Sequence, residues 1–134
     1  MDALHPRLLV EDFEAAALFW EGALRDLLGI EPVKVIPQAG YAHGEVDGQT
    51  VLALFSRETM AQAVGTDTLP PRPAAQDPSM LVLRVPVVDD ATPQLAAHGA
   101  DIVAQPQDRP DWGAHLRTAH LRTPDGTLVE LQSY

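Results

Sequence analysis

The sequence predicts an α+β fold of two consecutive modules, each running strand, helix, then three strands. Three observations predict it. A strand ending at Val10 and followed by an acidic helix start recurs at Val85. An Asp-Gly turn between two apolar runs, Asp47-Gly48, recurs at Asp125-Gly126, and the two offsets, 75 and 78 residues, mark one repeat with small insertions. Between the copies lies a proline-rich stretch that suits neither a helix nor a central strand. The 134 residues therefore read as a single domain, with module one at about 4–57, a linker at about 58–79 and module two at about 80–134.

Each element has a local reason. Leu4–Val10 alternates, with Leu8 and Val10 on one face and His5, Arg7 and Leu9 on the other, as a strand requires. Asp12 is placed to cap a helix in which Phe13, Ala16, Ala17, Trp20, Leu24 and Leu27 recur at helical spacing. Gly29 suits its C-terminal end. Trp20 falls in that apolar stripe and reads as core. Strands follow at Val33–Ile36, Tyr41–Val46 and Thr50–Phe55, with Asp47-Gly48 as the hairpin turn between the last two. A short helical stretch, Arg57–Val64, leads into the linker Thr66–Ser79, which holds Pro70, Pro71, Pro73 and Pro78. Module two then repeats the order. It has a strand at Met80–Val85, a helix at Ala91–His98 closed by Gly99, and strands at Ile102–Ala104, His115–Arg122 and Leu128–Gln132.

Composition narrows the chemistry. There is no cysteine, so disulfides, thiolate metal sites and cysteine nucleophiles are excluded. Nineteen acids against nine basic residues give a net charge of −10. Phosphate contacts need clustered Lys and Arg, so nucleic acid is a poor partner. The acids are spread, 11 in the first 67 residues and eight in the last 67, which describes a solvated surface and not an acidic tail. No apolar run has the roughly 20 residues of a membrane span, and the opening MDALHPRLLVED lacks a basic region ahead of an apolar one. A soluble cytoplasmic protein with no membrane partner is expected. No GxGxxG, P-loop, GxSxG or HExxH motif occurs.

Several segments together resemble a known family. His5-x-x-Leu8-x-Val10-x-Asp12, a helix bearing Phe19-Trp20, then Trp112-Gly113 and the stretch Arg122 to Leu131 (RTPDGTLVEL) are similar to the vicinal oxygen chelate superfamily. That superfamily includes glyoxalase I, bleomycin-resistance proteins, fosfomycin-resistance enzymes and extradiol dioxygenases. The resemblance covers nearly the whole chain and implies paired βαβββ modules, each curling into an open cup, usually in a homodimer. It leaves open whether the modules pair within one chain or across two.

Strand alternation agrees with such a cup. Leu8, Val10, Leu52, Leu54, Leu81, Leu83, Val85, Val129 and Leu131 fall on the side of the helices. His5, Arg7, Ala53, Phe55, Met80, Val82, Arg84, Leu128, Glu130 and Gln132 fall on the open side. A cleft that is mostly apolar with a few placed polar groups is the usual form of a small-molecule site.

In the resembling enzymes a divalent metal is held from the first and last strands of each module. In this sequence those places carry His5, Ala53, Met80 and Glu130. His5 and Glu130 match. Ala53 cannot bind a metal, and the Met80 thioether suits soft ions such as Cu(I), not hard divalent ones. His120 is a candidate third donor: alternation with Ala119 and Leu121 aims it inward, and it would complete a facial set with His5 and Glu130. Glu130 is also the candidate general base. The plainer reading pairs its carboxylate with Arg7 or Arg84. Trp112, on the loop entering a strand, is a candidate stacking surface for a ligand. Arg117 is a candidate anion contact at the rim. Phe55, Met80 and Arg84 complete the ligand-facing set. His43, His98 and His115 read as surface residues.

The expected function is therefore binding of a small organic molecule in the cup, of the bleomycin-resistance type, without a complete metal site. The alternative is a divalent-metal-dependent lyase, isomerase or dioxygenase of the glyoxalase type using His5 and Glu130, the metal acting as a Lewis acid. A regulatory domain with a vestigial cup is a third reading, given only seven aromatic residues. The acidity favours a cationic ligand if the rim carries the field; Arg7 and Arg84 on the floor favour an anionic or neutral one.

Overall fold

The computed structural model describes residues 4–31, 33–70 and 76–134. Its elements run β1 (Arg7–Val10), α1 (Phe13–Leu28), β2 (Val33–Ile36), β3 (Tyr41–Val46), β4 (Gln49–Ser56), α2 (Arg57–Val64), β5 (Leu81–Arg84), α3 (Val88–Ala97), β6 (Asp101–Asp108), β7 (Arg117–Arg122) and β8 (Leu128–Ser133). They divide into two compact units, β1 through α2 and β5 through β8. Each unit holds one four-stranded open sheet. The orders are β1-β4-β3-β2 and β5-β8-β7-β6, so the two sheets share one topology. In each, the first strand joins the last in parallel, and the remaining pairs are antiparallel.

In the first unit Asp12 caps α1, its carboxylate accepting from the Ala15 amide at 3.1 Å. Gly29 ends the helix at φ +64°, a left-handed conformation that costs glycine little. The buried face of α1 includes Ala16, Ala17, Phe19, Trp20, Ala23 and Leu24, and the Phe19 and Trp20 rings meet edge to face. Gly44 faces the same side of the sheet: a Cβ there would lie 3.1 Å from Leu24 Cδ1 and 3.5 Å from Ile30 Cγ2. Asp47 and Gly48 both have positive φ, which gives the β3–β4 hairpin the right-twisting two-residue turn that the Asp-Gly pair predicts. Val10, Leu52 and Leu54 are buried as alternation requires; Leu8 is half-buried.

In the second unit α3 lies against β6, β7 and β8. Its Val88, Ala91 and Leu95 are buried with Leu83, Val85, Ala119, Leu121, Val129 and Leu131 of the sheet. Each fully buried Leu or Val contributes about 1.5–3 kcal/mol relative to exposure. The turn before β8 is held by Asp125, whose carboxylate accepts from the Thr123 and Thr127 hydroxyls.

Four boundaries differ from the sequence expectation. β1 begins at Arg7, not Leu4: Pro6 has no N–H to donate, and its carbonyl instead accepts from the Ala53 amide at 3.1 Å. α3 begins at Val88, a turn earlier than expected, with Asp89 and Asp90 inside its first turn, where acids suit the dipole. β6 is eight residues long, not three. It is an edge strand with irregular register around Pro106, which such a position tolerates. β7 begins at Arg117, because His115 sits in a turn at φ +60°. Pro71 and Pro73 of the expected linker lie outside the described residues.

Candidate ligand-binding site

The face of the second sheet turned away from α3 gathers the chemistry. Ala119, Leu121, Val129 and Leu131 point to the helix, so His120 and Glu130 point the other way, directly opposite each other across the β7–β8 pair. His120 Nε2 lies 2.8 Å from Glu130 Oε2, and the two side chains are only 12% and 13% exposed. With its proton on Nε2, the imidazole donates to the carboxylate. Beside this pair the Trp112 ring stands edge-on to the His120 ring, 6.3 Å between centroids, and is 59% exposed. The Arg109 guanidinium lies 4.4 Å above the Trp112 ring, and its Nε donates to the Thr118 hydroxyl at 3.1 Å. Along the same face Arg84 lies 4.7 Å over the Tyr134 ring. Met80, just ahead of β5, and Val82 are exposed.

The open face of the first sheet is built in the same way. Arg7 lies 5.8 Å from the centre of the Tyr41 ring and 5.9 Å from that of Phe55, two residues directly opposite on β3 and β4. Such cation–π contacts contribute about 0.5–1 kcal/mol each at exposed positions. His43 Nε2 lies 2.8 Å from Glu45 Oε1, two residues along the same strand. Its Nδ1 is buried with no hydrogen-bond partner among the described residues. Ala53 sits between Arg7 and His43 in the register and is fully covered. His5, ahead of β1, is half-buried.

Some sequence expectations change here. Arg117 is not on the open face. It shares the helix side with Ala119 and Leu121, where its guanidinium holds Asp89 at 2.7 Å and Asp108 at 3.0 Å. The hydrogen-bonded Arg117 keeps the Asp89 carboxyl below the usual carboxylate range, and the two acids push the Arg117 guanidinium up. Arg122 is likewise raised by Asp77. The partner of Glu130 is His120 and not an arginine, because the cross-strand register sets these two side by side. His43 is not a plain surface residue: it is 13% exposed and paired. It occupies the place of His120 in the repeat, 77 residues earlier, each lying opposite the same register position of the last strand, Ala53 or Glu130. That spacing was the signal that could have found it. Tyr41, Glu45, Arg109 and Tyr134 were missed for lack of any such local sign. His115 is exposed as expected. A surface cleft of about 320 Å³, lined by Glu21, Arg25, Ile30, Glu31 and Val33, holds none of these groups.

Two of the four positions that the resemblance names for a divalent metal carry no donor suited to a hard ion. Ala53 has no donor and Met80 offers a thioether, while Glu130 lies 2.8 Å from the His120 imidazole. Among the described residues no group of three or more His, Asp or Glu side chains is gathered as a metal site needs.

Residues 3–131 match the family model of the Glyoxalase/Bleomycin resistance protein/Dioxygenase superfamily. The chain belongs to that superfamily. A relative in Bacillus subtilis (strain 168), the uncharacterized protein YraH, is 35% identical over 131 residues, covering 98% of this chain and 97% of its own. Among solved structures, a hypothetical protein from S. aureus is similar with a TM-score of 0.73 at 20% identity, covering 100% of this chain and 94% of that one. A glyoxalase-related enzyme from Fulvimarina pelagi gives 0.73 at 20%, covering 98% and 88%. A glyoxalase/bleomycin resistance protein/dioxygenase from Nocardioides gives 0.73 at 22%, covering 100% and 84%. These likenesses establish the superfamily's mixed α+β fold for this chain. The superfamily often uses a divalent metal and often forms dimers. No helix among the described residues is long and apolar enough to cross a membrane.

Proposed function

We propose that this superfamily member binds a small organic molecule on its open sheet faces, using residues already in place and no complete metal site. The observation that carries the reading is the His120–Glu130 pair. It is sheltered on an otherwise open sheet face and flanked by the largely exposed Trp112 ring. A sheet face built only for packing is filled by apolar side chains, whereas a binding face needs a few oriented polar groups among apolar ones. Arg84, Met80 and Val82 extend that face. His5, Arg7 and Phe55 contribute on the first module. Glu130 orients His120 and is the group through which any proton transfer to a bound ligand would run.

The metal-dependent alternative through His5 and Glu130 draws no support from the donor set. Metal analysis of the purified protein, with thermal-shift titration of Zn, Ni, Mn, Fe and Co, separates the two readings. Binding without metal predicts substoichiometric metal and an unmoved melting temperature. Stoichiometric metal that disappears in His5→Ala overturns it. Ligand-observed NMR against a small-molecule collection tests binding itself. Hits should weaken in Trp112→Ala while the amide spectrum stays folded; no hits, or hits indifferent to Trp112, contradict the assignment. The reading keeps the expectation of a cytoplasmic homodimer, which a monomeric mass in light scattering would correct.

A further inference from the structure

In a chain of net charge −10, what each cation rests on is informative. Arg117 is held by Asp89 and Asp108, and Arg122 by Asp77. Three others are seated on rings: Arg7 on Tyr41 and Phe55, Arg84 on Tyr134, Arg109 on Trp112. Among the described residues none of these three guanidiniums has a carboxylate partner, although acids outnumber them heavily.

All three lie on the open face of their own module. Val10 turns inward beside Arg7, and Leu83 and Val85 turn inward beside Arg84. Arg109 is tied to Thr118, which alternates with the inward Ala119. Two carboxylates on these faces, Glu45 and Glu130, are each taken by a histidine, and Asp77 is taken by Arg122. A guanidinium laid over a ring is fixed in orientation; Arg109, whose Nε is given to Thr118, still presents the edge formed by its two Nη groups. That edge matches a carboxylate bidentately, which a mobile lysine would not. The ring that seats it supplies a flat surface for a ligand's own ring. The surrounding acidity does not cancel this contact, since free charges are screened beyond about 8 Å at physiological salt.

Resting on the small-molecule reading above, we propose that the open faces select planar organic anions, such as aromatic carboxylates, anchored on the ring-seated arginines Arg7 and Arg109. The cationic ligand that net charge alone suggests is then disfavoured, because the groups facing the ligand carry the opposite sign to the molecule as a whole.

The test is an NMR titration of the full-length isotope-labelled protein with benzoate and, in parallel, benzamidinium, a flat ring of similar size and opposite charge. Benzoate is expected to shift the Trp112 indole and the arginine Nε resonances, with an affinity about tenfold above that of benzamidinium, the effect of one charge-assisted hydrogen-bonded contact. Arg7→Gln and Arg109→Gln should each weaken benzoate about tenfold at their own face. Arg→Lys at either position should restore only part of the loss, because it keeps the charge and not the fork. Amide spectra show whether each variant is folded, and the comparison of the two probes needs no variant at all. Benzamidinium binding as tightly as benzoate on these faces overturns the anion selectivity and leaves small-molecule binding standing. If neither probe shifts an open-face resonance, the anion selectivity falls, and the small-molecule reading stands or falls with the wider ligand collection. Benzoate binding unchanged in both glutamine variants overturns the anchoring role of the arginines.

Discussion

Module one and module two share strand order, parallel first-to-last pairing and even a histidine at the same register position, His43 and His120. They differ in what surrounds that histidine. In module two its carboxylate comes from the neighbouring strand, Glu130, directly opposite. In module one that position is Ala53, and the carboxylate comes instead from Glu45, two residues along the same strand. The aromatic seat for an arginine is also rebuilt: Tyr41 and Phe55 come from strands, whereas Trp112 comes from a loop. A repeat can thus keep its backbone and its pairing pattern while the side chains that meet a ligand change. Topology depends on many apolar positions at once, and the site depends on a few.

The hardest test of this comparison acts on the two cores. Leu54→Ala in module one and Leu131→Ala in module two each remove a fully buried side chain and should cost about 2–5 kcal/mol in urea unfolding. If the modules are equivalent in construction, the two losses fall together within that range. A loss below about 1 kcal/mol at either position would show that one core is not built as described. Gly44→Ala sharpens the difference on the helix side, because module two has Leu121 at the corresponding place. The added Cβ presses on Leu24 at 3.1 Å, and a loss of about 1–3 kcal/mol is expected, read as a lower melting temperature. An unchanged value would mean that α1 shifts freely.

The two His–Glu pairs come next. Glu130→Ala should cost about 1–2 kcal/mol, because His120 is left half-buried without its acceptor. Glu45→Ala should cost less, under about 1 kcal/mol, because Glu45 is 36% exposed and water replaces it more readily. The reverse order in denaturant titration would contradict the burial argument. The smallest effect concerns acid. Arg117 lowers the folded-state pKa of Asp89, so the stabilisation is fully present above the ordinary carboxylate value and is lost as pH falls through the lowered one. Melting curves from pH 5 down to pH 2 should therefore fall less steeply for Asp89→Asn than for the parent chain. Parallel curves would show that this exposed pair contributes nothing measurable.

The repeat, the element order, the hairpin at Asp47-Gly48 and the inward faces of β1, β4, β5, β7 and β8 were legible in the residues. Each rests on local chemistry: alternation, a cap, a turn that needs positive φ. Of the expected inward set, Val10, Leu52, Leu54, Leu83, Val85, Val129 and Leu131 are buried, and Leu8 and Leu81 are half-buried. Glu130 and His120 could be placed on one face, because that too needs only alternation. What the residues alone left undecided was contact. Arg117 at the start of β7 joins Asp89 in the first turn of α3, and Glu130 takes His120 and not an arginine; both depend on how separate segments of the chain lie against each other. Arg109 over Trp112 depends on how one loop folds back on its own strand. A sequence specifies which side of a strand a residue occupies, because that follows from the backbone's period of two. Which neighbour the residue meets there is decided only when separate strands and loops settle side by side.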